Sequence, residues 1–584
     1  MKNTIRIFIL LIISVSIYQP VLNAQTNADD IIFKAMNDEL SRSLEKLTIN
    51  KYPTPFFISY QLSDGHALTI QSTLGALRSS NETPSRAQSI RLMVGTYSLN
   101  DENFVSGSQS YSNGGSLSLP LDNDYDAIRR AFWIAGDQSY KRTIETYDQK
   151  LSALKQQNKS DEEKLDDYSK ITPISLIIKS TPVKYEKAKW EAFAKDVSGV
   201  FKAYAQIGNS SVILGFANAC VYVTSNEGTK LRIPLSMACL WINANTQAED
   251  GETLNDQLLY YALTPEQLPT VDKIKQDIKQ MSDNMSALNK APSISENYSG
   301  PVIFEGEAVA ELIAQKLFKN NSLIASREPV YAVERQNQGS VNKMDDKINQ
   351  RICSENITIK ETPKLKTFNN IPLIGSFEID SEGVVPKEEL VLVDKGILKT
   401  MLNDRIPTNK IKESNGHRRF ALNGPTVNAQ KAPGVINILY NNGESAKSVR
   451  KTTLKQAEKD GLSFIYIIRK LEISNPGQNR SMLSMMGGRN LPVSKPIGIY
   501  KVLVKTGEEQ LVRSAIISEF PITKFKEITL GSKEQLVYNT LLNSMIPVSF
   551  IVPQALVFND ISIEKDKNAK GKLPIIPNPL LSQK

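Results

Sequence analysis

PVIFEGEAVAELIAQKLF, from Pro301 to Phe318, is the stretch that decides the fold. Val302 to Phe304 is a short apolar run suited to a buried strand. A short turn follows, and Val309, Leu312, Ile313 and Leu317 form an apolar helical stripe. A strand feeding a helix through a short turn is predicted. Glu307 and Glu311 stand four apart and share a helix face, with Glu305 just ahead of them. Such carboxylates would suit Ca²⁺ or Mg²⁺ better than Zn²⁺. Equally, the helix dipole alone favours acids on the first turns.

The same periodicities extend both ways. Towards the N-terminus, Asp29-Asp30 can cap a helix whose apolar face is Ile32, Met36, Leu40, Leu44 and Leu47. Phe56, Ile58, Tyr60 and Leu62 alternate, Asp64-Gly65 is a tight-turn pair, and Leu68 and Ile70 alternate again, which predicts a hairpin. Ile90, Leu92 and Val94 read as a third strand. Residues 124–155 read as a helix with Ile128, Phe132 and Trp133 inward, followed by a charged stretch to residue 170. Trp190 to Tyr204 is a further helix. Two strands, Val212 to Val223 and Lys230 to Ala244, flank a turn at Ser225–Thr229, and a helix follows from Pro265 to Leu288.

The polar segment Asn289–Ser299, which holds Pro292, marks a boundary between two domains, residues 25–290 and 295–584. The second is strand-rich. Gly375–Asp380, Leu390–Val393 and Ile397–Leu402 alternate with turns at Ser381-Glu382-Gly383 and Asp394-Lys395-Gly396. Ile497–Val504 and Leu511–Ser518 form a hairpin, and Ala555–Ile563 closes the chain. Asn475–Pro496 has no period and reads as a loop, disordered or facing a partner.

The 584 residues exceed what one core organises, so two or more domains are expected. Lys2 and Arg6 precede an apolar run, Ile7 to Ile17, too short to span a bilayer comfortably. Ala24 ends a segment suited to signal peptidase. A signal peptide over residues 1–24 is predicted, with the remainder exported to the periplasm or beyond the cell and no membrane span in the mature chain. The chain carries 70 Lys and Arg against 62 Asp and Glu. Removing Lys2 and Arg6 leaves 68 against 62, a mild +6 that is scattered and does not imply nucleic acid. Lys447–Lys451 reads as a solvated turn. The three cysteines, Cys220, Cys239 and Cys353, form no CxxC pair, and a bridge between Cys220 and Cys239 stays open. With only His66 and His417 available, a zinc site built on two imidazoles needs the two to meet in space. No serine or cysteine nucleophile motif is present.

These pieces together resemble the TldD/PmbA family, also called modulator-of-gyrase or microcin-maturation peptidases. The resemblance rests on the strands near Tyr60, on TSNEGTKLR (Thr224–Arg232), on PVIFEGEAVAEL and on GSFEIDSEGVVPKEELVLVDKGILKTMLNDR ending at Arg405. SNGHRR (Ser414–Arg419) and VPQALVFNDISI near the C-terminus complete it. It implies an α+β fold, a sheet-and-helix domain followed by a β-rich domain with a strongly curved, barrel-like sheet. Catalytic members look like zinc peptidases whose helix carries His-Glu-x-x-x-His and whose C-terminal region adds a Cys ligand. Laid on this chain, the histidine positions are Gly306 and Glu311. Only the glutamate remains, as Glu307, and residues 534–558 contain no Cys.

In this respect the chain resembles the non-catalytic PmbA (TldE) type, which pairs with an active relative. Neither metal nor cofactor is therefore expected, and the expected partner is a family paralogue or a second copy, with peptides as ligands. The alternative is a divergent zinc peptidase using Glu307 as general base and recruiting Glu305, Glu311 or His417. A purely structural envelope protein, with the 124–170 helix as a contact arm, is a third option. The resemblance also places His417, Arg418 and Arg419 near a peptide-binding cleft, where an arginine could grip a carboxylate. The plainer reading of that segment is a solvated surface turn. His66 reads as exposed, and Asp380 and Glu382 as acids that fix a turn.

Overall fold

A computed structural model describes residues 30–106, 119–157, 165–179, 185–319, 322–332, 343–424, 426–473, 492–543 and 545–567. The predicted signal peptide, the start of the charged stretch at 161–164 and most of the Asn475–Pro496 loop lie outside the described residues.

The first half is built on one sheet. Strand Pro55–Thr73 pairs antiparallel with Ala76–Val94 on one side and Asn209–Ser225 on the other, and Lys230–Gln247 and Thr253–Ala262 continue the order. Helices α1 (Ile31–Lys46) and α2 (Tyr125–Gln157) cover one end. Helices α3 (Lys187–Ser198) and α4 (Val271–Lys290) cover the other. Asp30 caps α1 by accepting from the Ile32 and Phe33 amides at 3.1 and 3.3 Å. On α2, Ile128 and Phe132 are buried, but Trp133, one residue and about 100° further round, is 44% exposed.

The hairpin predicted at Asp64-Gly65 does not form. The strand runs straight through, with Gly65 opposite Ser85 and Ala219, and Asp64 pairs across the sheet with Arg86 at 2.9 Å. The chain reverses ten residues later at Leu74-Gly75, both at positive φ (+46° and +76°), as a two-residue hairpin turn demands. The predicted third strand at Ile90–Val94 is the end of the returning strand.

The second half contains a seven-stranded and a six-stranded sheet. In the larger one, strand Tyr298–Glu305 lies between Phe464–Leu471, parallel to it, and Ala555–Lys565, antiparallel. Its two faces are apolar in alternation. Val302, Phe304, Tyr466, Ile468, Leu556 and Phe558 point to one core, and Ile303, Ile465, Ile467 and Val557 to the other. Helix α5 (Glu307–Ile313), which continues as a π-helical turn over Ala314–Lys319, packs on the first face. Helix α6 (Ala446–Lys459) covers the second. Strand Ile546–Pro553 of the six-stranded sheet reaches α5 from its far side. Phe304, Phe520, Phe525 and Phe558 interlock edge to face with centroids 5.3–6.4 Å apart.

The barrel-like, strongly curved sheet expected here is absent. Among the described residues each sheet is open, its outermost strands being Glu509–Val512 and Ala515–Ile517 in one and Ile397–Leu398 and Gln535–Leu542 in the other. Curling a sheet onto itself hides an apolar face. Here α5 and α6 already cover both faces of the larger sheet, so closure has nothing left to bury. Gly375–Asp380 is not a strand either; it crosses over the six-stranded sheet.

That crossing sets a steric limit. A Cβ on Gly375 would stand 2.0 Å from the Gly434 carbonyl oxygen and 2.6 Å from the Ser549 nitrogen, both backbone atoms of paired strands or their junction. Gly375→Ala is expected to destabilise the protein by roughly 3 kcal/mol in urea unfolding. Gly199→Ala, with nothing closer than 3.9 Å to the new carbon, is expected to be near neutral. Equal effects would show that the crossing is not tight.

Candidate functional site

Gly306 is the pivot between strand and helix. Its backbone, at φ +63° and ψ −134°, lies where glycine is at ease and an L side chain is strained. Its amide donates to the Gln554 carbonyl at 2.9 Å, and its carbonyl accepts from Val309 at 3.2 Å. The space beside it is open: a Cβ at this position would meet no atom within 4 Å. The obstacle to an imidazole here is therefore the backbone rather than crowding.

Helix α5 has almost no solvent face, with Ala308 to Ile313 all buried. Glu311 is consequently cut off from water, and its carboxylate is held entirely by protein. Lys319 Nζ donates to one oxygen at 2.6 Å and Gln315 Nε2 to the same oxygen at 2.9 Å. The Tyr538 hydroxyl donates to the other at 3.1 Å. Burial, with Glu311 next, raises the Tyr538 phenol well above its usual range, so it stays a donor.

Glu307, one turn earlier, faces a cavity of about 410 Å³ that Asp256, Tyr260, Asp277, Arg469, Lys470 and Tyr538 help to line. The side chain remains 42% exposed because it faces this space. Surrounding protein nonetheless thins the water around it and pushes its carboxyl up, against the pull of Lys470. Lys470 Nζ lies 2.7 Å from Asp256 and 3.8 Å from Glu307 and donates to the Gln257 carbonyl at 2.8 Å. Burial works against its charge, but the two carboxylates prevail and raise it. Glu305 turns elsewhere and pairs with Arg469 at 2.8 Å, which also grips Glu509.

The other predicted site residues separate. His417 is 1% exposed, not in a solvated turn. Its Nδ1 meets Asn415 Oδ1 at 2.8 Å and its Nε2 stands 3.8 Å from Glu361. Arg419 is also buried; it donates to the Pro433 and Pro547 carbonyls at 2.6 Å and lies 4.4 Å over the Phe377 ring. Arg418, on the opposite face of the same strand, bonds Asp404 at 3.1 Å. Asp380 does fix its turn, accepting from the Glu382 and Val384 amides at 2.9 and 2.8 Å. His66 is near Glu82 at 3.7 Å and contacts the Tyr185 hydroxyl. The cysteines are unbridged.

Zinc does not fit this donor set. Among the described residues no three His, Cys, Asp or Glu side chains converge as metal ligands. Gly306 offers no side chain, Glu311 is fully engaged, and each carboxylate of the helix face already has a lysine as neighbour. Lys470, Asp256, Lys319 and Tyr538 were not foreseen. Lys319 had a visible cue, since Glu311, Gln315 and Lys319 recur every four residues along one helix. Asp256 and Lys470 are 214 residues apart and meet only through the fold.

Residues 296–565 match the family model described as the PmbA/TldA metallopeptidase C-terminal domain. The C-terminal part of the chain, residues 296–565, thus carries a domain of the PmbA/TldD type. Its fold is similar to that of TldE from Thermococcus kodakarensis, with 14% identity, TM-score 0.55, and 91% of this chain and 99% of that one covered. A candidate modulator of DNA gyrase from Thermotoga maritima gives 14% identity and TM-score 0.55 over 91% and 100% of the two chains. A second such protein, from Bacteroides thetaiotaomicron, gives 13% identity and TM-score 0.53 over 91% and 98%. No curated protein sequence matches the chain.

Removing the carboxylate from α5 tests its structural role. Glu311→Ala leaves Lys319, Gln315 and Tyr538 without their acceptor and is expected to cost roughly 3–5 kcal/mol in urea unfolding. Glu311→Gln, which keeps a carbonyl, is expected to cost clearly less. Equal stability of Glu311→Ala and wild type would contradict the assignment.

Proposed function

We propose that this chain is an exported, non-catalytic member of the TldD/PmbA family, a peptide-binding or partner subunit for a zinc peptidase of the same family. The observation that carries this reading is the pairing of Glu311 with Lys319. In the catalytic proteins that the chain resembles, this position holds a metal-ligating histidine. Here it holds an anion already neutralised by an ammonium group at 2.6 Å. A divalent ion would have to displace that lysine and would find glycine one turn away. Lys470 likewise sets a positive charge beside Glu307. The helix thus has its counter-charge without a metal.

A second reading is favoured by one feature of Glu307. An accessible carboxyl with a raised pKa inside a cavity is what a general base or acid requires. Its predicted helpers are occupied, however: Glu305 by Arg469, Glu311 by Lys319, and His417 in its buried contact with Asn415. A base alone gains little without a group to polarise the scissile carbonyl.

Elemental analysis of the purified mature chain, after equilibration with excess zinc and gel filtration, is expected to give far less than one zinc per chain. Peptide hydrolysis is expected only when a family member with intact His-Glu-x-x-x-His is added, and Glu307→Gln in this chain is expected to leave that activity unchanged. Stoichiometric zinc, or chelator-sensitive cleavage by this chain alone that Glu307→Gln abolishes, would reverse the assignment.

A further inference from the structure

A second cavity, of about 210 Å³, opens between the two halves. From the first half it takes Arg91, Ser225 and Thr229, and from the second Glu382, Arg405 and Arg418. Its lining thus carries three guanidinium groups against one carboxylate. Of the acids that balance the arginines, Glu382, which pairs with Arg91, lines the space, and the others do not. Glu102 binds Arg91 at 2.8 Å, Glu227 holds Arg405 by two contacts of 2.7 Å, and Asp404 binds Arg418 at 3.1 Å.

Two hydroxyls on this lining are unspent. Ser225 is 7% and Thr229 3% exposed, yet neither side-chain oxygen has a hydrogen-bond partner. Both stand at the ends of the same turn, where the Ser225 amide donates to the Thr229 carbonyl at 3.0 Å. A buried hydroxyl without a partner is costly, and the cost falls when a ligand supplies an acceptor. The arginines are also held in place beforehand. Tyr168 lies between two of them, 4.6 Å from the Arg91 and 4.0 Å from the Arg405 guanidinium carbon. Arg91 and Arg418 keep 21% and 27% of their side-chain surface exposed.

We propose that this cavity binds a small polar ligand through an oxyanion, a carboxylate or a phosphate, gripped by Arg418 and Arg91 and hydrogen-bonded by Ser225 and Thr229. Fixed guanidinium groups and hydroxyl donors are the chemistry that recognises such groups. The volume admits about seven waters at ~30 Å³ each, room for a ligand of amino-acid size. Bound there, it touches both halves. The proposal is independent of whether Glu307 is inert, because none of these residues belongs to the α5 cavity.

Calorimetric titration of the mature chain tests it with three probes: the dipeptide Ala-Ala, its C-terminal amide, and inorganic phosphate. Saturable binding of the free-acid dipeptide or of phosphate is expected, and none of the amide. Preference for the dipeptide identifies a peptide carboxylate as the source, and preference for phosphate a phosphorylated ligand. Ser225→Ala with Thr229→Val removes groups that have no partner in the fold, so thermal stability is expected to hold while affinity falls about tenfold or more. Arg418→Gln is expected to weaken binding at least as much. Absence of saturable binding by both anionic probes, equal binding of acid and amide, or wild-type affinity in the hydroxyl variant would overturn the proposal.

Discussion

Everything in the second half is arranged around a helix with almost no side facing water. α5 is covered by the seven-stranded sheet on one face and reached by Ile546–Pro553 of the six-stranded sheet on another. Such a helix gains its stability from apolar contact all round, and any ion it carries loses the solvent that would have screened it. The penalty for an unpaired buried charge is several kcal/mol. Glu311 is therefore tolerated only because Lys319, Gln315 and Tyr538 converge on it. This demand for internal neutralisation links the fold to the function. In a protein with a metal on this helix, the metal's own charge would meet the demand; here the side chains meet it.

The pivot at Gly306 sets a constraint in the backbone. The strand must leave the sheet and enter α5 within one residue. The conformation that allows this, at φ +63°, is one that glycine adopts freely and histidine would not. The lack of a side chain at this position is therefore tied to the path of the chain. Changing the side chain alone would leave the backbone pointing as it does now.

The elements with a strong period were legible in the sequence. Helices α1, α3 and α4, the long strands on either side of Ser225–Thr229 and the strand–turn–helix unit all followed from apolar spacing. Asp64-Gly65 misled because two turn-forming residues in a row do not turn a chain that has better partners on both sides. Asp64 had Arg86, and Leu74-Gly75 could take the positive φ. The barrel-like sheet was expected from the resemblance alone. Spacing shows that strands are short and alternate, but not which strands pair or what covers them. His417 and Arg419 read as solvated because they sit in a polar run. Their burial depends on Phe377, Glu361 and backbone carbonyls from distant segments. Nothing local to Ser414–Arg419 encodes that.

Several stretches that make the sequence distinctive fold onto one another away from α5. Glu227, in TSNEGTKLR, holds Arg405, at the end of KTMLNDR, by two contacts of 2.7 Å. Glu382, in DSEGV, accepts from the Arg405 amide at 3.1 Å and pairs with Arg91. Arg418, in SNGHRR, closes the set through Asp404. Burial tends to strip charge from such groups, yet Lys431, Arg418 and Arg91 hold the Asp404 carboxyl below its usual range in spite of it. A network of this kind constrains sequence more sharply than apolar packing does, because replacing one member strands its partner. Buried apolar positions accept several residue types, and a lysine can replace a metal. Charged groups that brace two halves of a chain around a polar cavity have far fewer substitutes. Three of the segments that carry the resemblance thus meet under this electrostatic demand at the junction of the halves.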